Sequence, residues 1–517
     1  MAKNKIAAAL DAALAGLGIK EKLPYKIEIP PRKELGDYAS NAAILYARQL
    51  KRKPLELAEE IVRQVSEGDQ DNTFEKIETV KPGFINFFLT NDYLRRTLPD
   101  ILEQDHDWGK GEKGKGEKVL LEFVSANPTG PLHVGHGRWA VIGDAIARLL
   151  EAIGSSVERE FYVNNVGKQV GLLVKSVKAA RQGQDPPEGG YGGAYVREVK
   201  GDDQDQMLAS LTEQQRGTLD NLRVKFDRWY YESELHNGKK VQFAVEKLHE
   251  QRKTFEEGGA IWFKSQEHGD DKNRVLIRED GNPTYFAADV AYHLDKFLRG
   301  YDRLIDIWGT DHHGYVKRLK SAMDALGQPV DKLEIIIGQL VTLYRGEEPV
   351  RMSKRTGEMV TLQEVIDEIG ADATRFFFSA TDVNSHLDFD LELAKKKSQE
   401  NPVYYVQYAH ARICSILKKN TEHRPANTVD LSGLAHPAER ALMFKLQAWP
   451  HVVEEAARLR HPHRITEYGK ELATVFHSFY EKCRVLGDPA RLFLVYASRI
   501  TLRNVLELLG INAPESM

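Results

Sequence analysis

Cysteine is nearly missing from this sequence. There are two in 517 residues, Cys414 and Cys483, far apart and in helical patterns. With no CxxC pair, neither a disulfide framework nor a structural zinc is expected, and both thiols read as buried core groups. Long apolar runs are missing too. None approaches the ~18 residues of a membrane-spanning helix, so no membrane partner is expected. The opening stretch, MAKNKIAAALDAALAGLGIK, lacks the unbroken apolar core of a signal peptide and reads as an amphipathic helix; the expected compartment is the cytoplasm. An excess of one charge is likewise absent. Lys and Arg total 72 against 76 Asp and Glu, a net −4, so a nucleic acid would have to be held by local basic patches. No internal repeat stands out. What remains is an ordinary folded composition, 42% hydrophobic and 29% charged, on a chain long enough for about two to four domains.

Residues 1–105 read as a small α+β domain, with strand-like YKIEIP (25–30) and GFINFFLT (83–90) among helical patterns. GKGEKGKGEK (109–118) contains a formal GxGxxG in Gly109, Gly111 and Gly114. It precedes a strand instead of opening a helix, so it reads as a spacer and not a phosphate loop. From Val119 the order is strand (VLLEFV), loop, helix (Arg138 to Ile153, ended by Gly154), strand (VEREFYVN). A second such unit covers 303–343: RLIDIWG, TDHHG, YVKRLKSAMDALG and LEIIIGQLVTL. Two βαβ units predict a Rossmann-like, doubly wound parallel sheet over 106–383. A polar insertion is expected at about 168–275, and an all-helical bundle over 384–517.

The loop SANPTGPLHVGHGR (125–138) places His133 and His136 where a strand turns into a helix. Zinc is one reading of the pair, but no third ligand is local. Ordinary surface histidines are another. A phosphate site suits the surroundings better: prolines stiffen the approach, Gly130, Gly135 and Gly137 leave room, and a helix N-terminus follows. A second basic loop, PVRMSKRTG (349–357), carries Lys354 between Arg351 and Arg355.

The two together decide the reading. HVGH followed by RMSKR resembles the HIGH and KMSKS signatures of class I aminoacyl-tRNA synthetases, and SANPTGPLHVGHGR is similar to the arginyl form. So are KPGFINFFL, PTYFAADVAYH, WGTDHHGYVKRL, GADATRFFF and the ending LELLGINAPESM, over residues 25–517 in all. Arg351 departs from the pattern, where the class usually has Lys. The resemblance implies activation of L-arginine by ATP and transfer to tRNA(Arg), with Mg²⁺ arriving with ATP. Catalytic roles would fall to His133, His136 and Lys354. ATP would be held by these three with Pro128, Gly135, Gly309, Met352 and Ser353.

A guanidinium calls for planar carboxylate partners. The resemblance assigns it to Glu122, Tyr285 and Asp289, and the α-amino group to Asn127 and Asp311, the last standing where some relatives have Gln. It also assigns residues 1–105 to the outer corner of the tRNA, through Phe84 and Asn86, and residues 384–517 to the anticodon. In that bundle Tyr404, Tyr408 and Arg499 offer stacking and charge. A monomer is expected. A class I synthetase for another amino acid and a small-molecule adenylyltransferase of the same superfamily stay open as alternatives.

Overall fold

The computed structural model describes residues 2–19, 22–350, 360–420, 425–426 and 428–517; the side chains of Asp311 and Asn420 lie outside this set. Helix α1 (Ala2–Gly16) buries Ile6, Leu10, Ala13 and Leu14 on one face. Strands β1 (Ile27–Glu28) and β2 (Tyr38–Ser40) precede helices α2 (Ala42–Leu50) and α3 (Pro54–Gly68), and β3 (Phe74–Val80) and β4 (Phe84–Leu89) complete an antiparallel sheet of order β1-β2-β4-β3. The strand expected over 25–30 shrinks to two residues, because Pro30 and Pro31 cannot donate to a ladder. Helix α4 (Asn91–Gln104) is capped by Thr90, whose Oγ1 accepts from the Tyr93 amide at 3.1 Å.

The central sheet forms as expected. Strands β5 (Lys118–Glu122), β6 (Ser156–Val163) and β7 (Arg228–Tyr231), with β11 (Arg303–Gly309) and β12 (Leu333–Gly338), lie parallel in the order β12-β11-β5-β6-β7. Helix α5 (Val134–Ala152) follows β5 and is buried on nearly every side. Helices α6 (Lys168–Arg181), α7 (Ala194–Glu198) and α8 (Gln204–Asn221) cross from β6 to β7. After β7 come α9 (Glu232–Asn237), α10 (Lys240–Glu250) and a small antiparallel sheet of β8 (Thr254–Glu257), β9 (Ala260–Phe263) and β10 (Arg274–Ile277). The stretch read as one insertion over 168–275 is therefore interrupted: β7 belongs to the central sheet. Its four residues, RWYY, are too short and too uniformly aromatic to announce a period. Helices α11 (Tyr285–Leu298) and α12 (Tyr315–Ala325) flank β11.

LEIIIGQLVTL is not one strand. It breaks after Gly338, and β13 (Val341–Arg345) joins a second sheet with β14 (Glu348–Pro349) and β15 (Leu387–Asp390), which follows helix α13 (Leu362–Ser379). The break is held by α5. A Cβ on Gly338 would meet the Trp139 ring at 2.0 Å. The buried Arg138 donates to the carbonyls of Gln339 (2.9 Å) and Leu340 (3.1 Å).

Short helix α14 (Leu391–Lys395) leads to the bundle of α15 (Pro402–Asn420), α16 (Pro437–Leu459), α17 (His463–Lys482) and α18 (Pro489–Leu508). Its core is continuous with that of the N-terminal sheet, and the Arg440 guanidinium grips Asp37 at 2.9 and 2.6 Å. Both cysteines are buried, as expected. The 109–118 segment is docked, not a free spacer. The Gly111 and Gly114 amides cap the C-terminal end of α5, donating to Ala152 and Ile153 carbonyls at 2.8 Å each. A Cβ on Gly109 would strike Trp449. This glycine run thus sits at the opposite end of α5 from the two histidines. Among the described residues no helix is long and apolar enough to cross a membrane.

Candidate active site

The chain leaves β5 under strain. Val124 (φ 70°) and Ser125 (φ 41°) both adopt left-handed backbone, which a β-branched residue strongly resists. Ser125 holds the bend: its hydroxyl donates to Glu122 Oε1 at 2.7 Å and accepts the Tyr162 amide at 3.1 Å. Helix α5 then begins at Val134, four residues before the expected Arg138, because the histidines cap it themselves. His133 is the N-cap. The His136 amide donates to His133 Nδ1 (3.4 Å), the His133 amide donates to His136 Nδ1 (3.3 Å), and the rings stack at 3.6 Å. With both Nδ1 atoms accepting, each ring carries its donor proton on Nε2.

The glycines serve the protein more than a ligand. A Cβ on Gly137 would meet Leu362 at 2.4 Å, one on Gly130 would meet Tyr195 at 3.2 Å, and one on Gly135 the His133 ring at 3.0 Å. Pro128 is buried in the loop. The second signature, with Arg351, Met352, Ser353 and Lys354, lies outside the described residues. The chain just after it is pinned to the first signature: His133 bridges Thr361, and the Leu362 amide donates to Leu132 O at 2.8 Å.

At the C-terminal end of β5, where Glu122 stands, an acidic cluster gathers. Asp289, on α11, is half-buried and accepts a hydroxyl hydrogen bond from Tyr315 (2.5 Å); among the described residues it has no cationic ion-pair partner. Burial pushes its carboxyl above the ordinary range, with the Tyr315 bond pulling the other way. Glu122 reaches the same place, but it is already engaged, by Ser125 and by the ammonium of Lys296. Tyr285 stands 55% exposed at the first turn of α11, its hydroxyl over Gly167. Asn127 donates to Gln169 at 2.8 Å. Gly309 ends β11. Two groups not anticipated from sequence join them: Glu232, 4% exposed at the start of α9, and Tyr162. Burial raises the Glu232 carboxyl, and it raises the Tyr162 hydroxyl with help from Glu232 and Asp289. Only the short polar context after β7 hinted at Glu232.

Glu122, His293 and Asp306 are close enough to share a cation. The cation there is Lys296, fully buried, 2.6 Å from Asp306 Oδ1, while His293 Nε2 lies 2.9 Å from Asp306 Oδ2. Burial alone would raise the Asp306 carboxyl, but Lys296 and His293 outweigh it and hold it down to about 2. A depressed carboxyl stabilises the fold above its unfolded value, about 3.9, and loses that contribution as pH falls towards the folded value. The expected contribution at neutral pH is on the order of 2 kcal/mol. Denaturant unfolding of Asp306→Asn should therefore show a shallower loss of stability between about pH 4 and 2 than the parent does; parallel curves would refute it.

The crossover helices reach back to hold the signature loop. Gln215 Nε2, on the buried face of α8, donates to the carbonyls of Gly130 (2.9 Å) and Asn127 (3.1 Å), and Tyr195 donates to Thr129 O (3.0 Å). Gln215→Ala leaves two carbonyls unsatisfied beside the histidines. It should cost about 1–3 kcal/mol, read as a lower midpoint in denaturant unfolding; an unchanged midpoint would place the loop's rigidity elsewhere.

A model of the arginyl tRNA synthetase N terminal domain matches residues 2–89, one of the class I (R) tRNA synthetase catalytic domain 97–189, and one of the DALR anticodon binding domain 406–517. An arginine–tRNA ligase from Moorella thermoacetica is 46% identical over 100% of this chain and 99% of its own length. Arginine–tRNA ligase 1 from Halalkalibacterium halodurans is 44% identical, over 100% and 98%. The chain belongs to the arginyl-tRNA synthetase family. The fold agrees with that of the Thermus thermophilus arginyl-tRNA synthetase, at a TM-score of 0.79 and 24% identity over the whole of both chains.

The expected tRNA-contacting residues of this synthetase fall in three places. Phe84 is 40% exposed, so it is not core; Asn86, on the same face of β4, is only 3% exposed and does not present its amide. It sits on a central strand between β2 and β3, where neighbouring side chains close over a short amide. Tyr404 and Tyr408 stack on α15 at 6.1 Å, and Tyr408 faces His477 of α17. Arg499 is not with them. It donates to Tyr496 (2.9 Å) and acts on His410 and Cys414, on another side of α15.

Proposed function

We propose that the chain joins L-arginine to tRNA(Arg) in two steps at the strand ends described above. In the first, the arginine carboxylate attacks the α-phosphorus of ATP and pyrophosphate leaves, giving arginyl-adenylate. In the second, a hydroxyl of the terminal tRNA adenosine attacks the carbonyl carbon and AMP leaves. Neither step needs a strong base, so the protein works by positioning and by stabilising charge. His133 and His136 donate from Nε2 to ATP phosphate oxygens as charge develops. Lys354 neutralises the departing pyrophosphate, Met352 and Ser353 seat ATP with Gly309, Gly135 and the loop at Pro128, and Mg²⁺ enters as part of the ATP substrate.

The observation that carries the reading is Asp289, a carboxylate without a cationic ion-pair partner among the described residues, with Glu122 beside it and Tyr285 above. A guanidinium would supply the missing charge. Asn127 and Asp311 take the α-amino group. The full-length match to arginine–tRNA ligases weighs against another amino acid and against a small-molecule adenylyltransferase. A pyrophosphate-exchange panel of amino acids, with and without tRNA, tests this: arginine alone should support exchange, and exchange with another amino acid but not arginine would overturn it.

The flanks fit the same reaction. Residues 1–105 meet the outer corner of the tRNA and 384–517 its anticodon, through Tyr404, Tyr408 and, on a separate face, Arg499. One chain carries every assigned group, which supports a monomer, and the substrates suit a cytoplasmic enzyme. Phe84→Ala should raise the KM for tRNA by the equivalent of about 1–3 kcal/mol, the worth of a stacked base, and leave arginine activation unchanged. An unaltered KM for tRNA would remove Phe84 from the contact.

A further inference from the structure

Away from the active site, the turn between α16 and α17 presses two histidines against a carboxylate of the catalytic unit. His461 Nε2 lies 3.7 Å and His463 Nδ1 3.8 Å from the same oxygen, Asp382 Oδ2, and the imidazole rings are 4.9 Å apart. These separations are too long for hydrogen bonds. His463 Nδ1 is buried with no hydrogen-bond partner among the described residues. The three donor atoms lie within 4.8 Å of one another.

We propose that Asp382, His461 and His463 bind a divalent transition metal of the zinc class. Two ligand atoms on a tetrahedral ion with bonds of ~2.1 Å stand about 3.4 Å apart, so each nitrogen–carboxylate separation, 3.7 and 3.8 Å, must shrink by a few tenths of an ångström, and the two ring nitrogens, within 4.8 Å of each other, by at most about 1.4 Å, a move that imidazole rotation can supply. Two imidazoles and one carboxylate, with a fourth position left to water, form a borderline donor set that suits zinc better than magnesium or calcium.

The surroundings are built for it. Asp382 Oδ1 is occupied by the Asn384 amide (2.9 Å) and Nδ2 (3.1 Å), which turns Oδ2 towards the histidines. The Asp382 carbonyl is gripped by Arg138 Nη2 at 3.0 Å. On the other side, Pro462 stands between the two histidines and fixes the backbone of the turn. Of the nearby cations, Arg464 is paired with Glu455 (2.8 Å) and Arg460 with Glu334 (3.4 Å), while Arg138 is held on backbone carbonyls and shares the field of the Asp382 carboxylate with the proposed ion. The metal would tie the bundle to the loop that holds Arg138, two residues beyond His136.

The test uses the full-length protein, stripped with a chelator and free of nucleotide. It is titrated with Zn²⁺ alone by calorimetry and with Co²⁺ alone by visible absorption. One equivalent should bind, with the intense bands of low-coordinate Co²⁺. His461→Ala, His463→Ala and Asp382→Asn should each lose that step, while a His133→Asn, His136→Asn double variant should keep it. If the alanine variants fail to fold by circular dichroism, Asp382→Asn, which keeps the shape and hydrogen-bonding capacity of the residue, reads the same loss. Absence of a one-equivalent step, or its survival in Asp382→Asn, overturns the proposal.

Discussion

Asp289→Asn should raise the KM for arginine by roughly 10²- to 10⁴-fold, the equivalent of about 3–5 kcal/mol for leaving a buried charge without its partner. The variant should fold at least as well as the parent. In the parent, burial raises the pKa of the carboxylate, and its hydrogen-bond partner among the described residues is the Tyr315 hydroxyl, with no ion-paired cation. An amide of the same shape removes that penalty and keeps an acceptor for Tyr315. Binding and stability should therefore move in opposite directions, which separates a ligand-holding carboxylate from a structural one. Citrulline, isosteric with arginine but neutral, should compete poorly against the parent. Steady-state aminoacylation and thermal melts decide the matter: a lower melting temperature with an unchanged KM for arginine would make Asp289 a scaffold residue and move the guanidinium site.

The second large effect is on turnover. His136→Asn should slow adenylate formation by about 10²-fold or more, since a positioned donor to developing charge is worth about 3 kcal/mol. The KM for arginine should change little. Asparagine is a fitting replacement because His136 has a structural duty as well: its Nδ1 accepts the His133 amide in the cap of α5. The asparagine carbonyl oxygen can take over that bond, so helix and loop survive while the Nε2 donor is lost. Near-parental turnover in a folded variant would reduce the pair to a helix cap.

Much of this was written in local chemistry. Strand and helix periods marked the two βαβ units and hence the parallel sheet. The HVGH loop announced itself by proline, glycine and histidine at a strand–helix junction. What escaped were features whose cause lies far along the chain. The break after Gly338 follows from Trp139 and Arg138, about 200 positions away. The strand RWYY belongs to the central sheet because β6 offers it an edge, and nothing in four residues says so. The glycines of the signature, read as room for a ligand, make room for Leu362 and Tyr195.

The sequence carried the class of reaction through the resemblance of HVGH and RMSKR to the class I signatures, and residue types narrowed the candidate side chains, because phosphate and guanidinium chemistry admit few partners. Charge state and access were settled only in three dimensions. Glu122 and Asp289 look alike in the sequence. Folding brings the Lys296 ammonium to one and, among the described residues, a tyrosine hydroxyl but no ion-paired cation to the other, and it leaves Phe84 in solvent while covering Asn86. Desolvation and pairing depend on what the whole chain packs around a group, and no local window contains that.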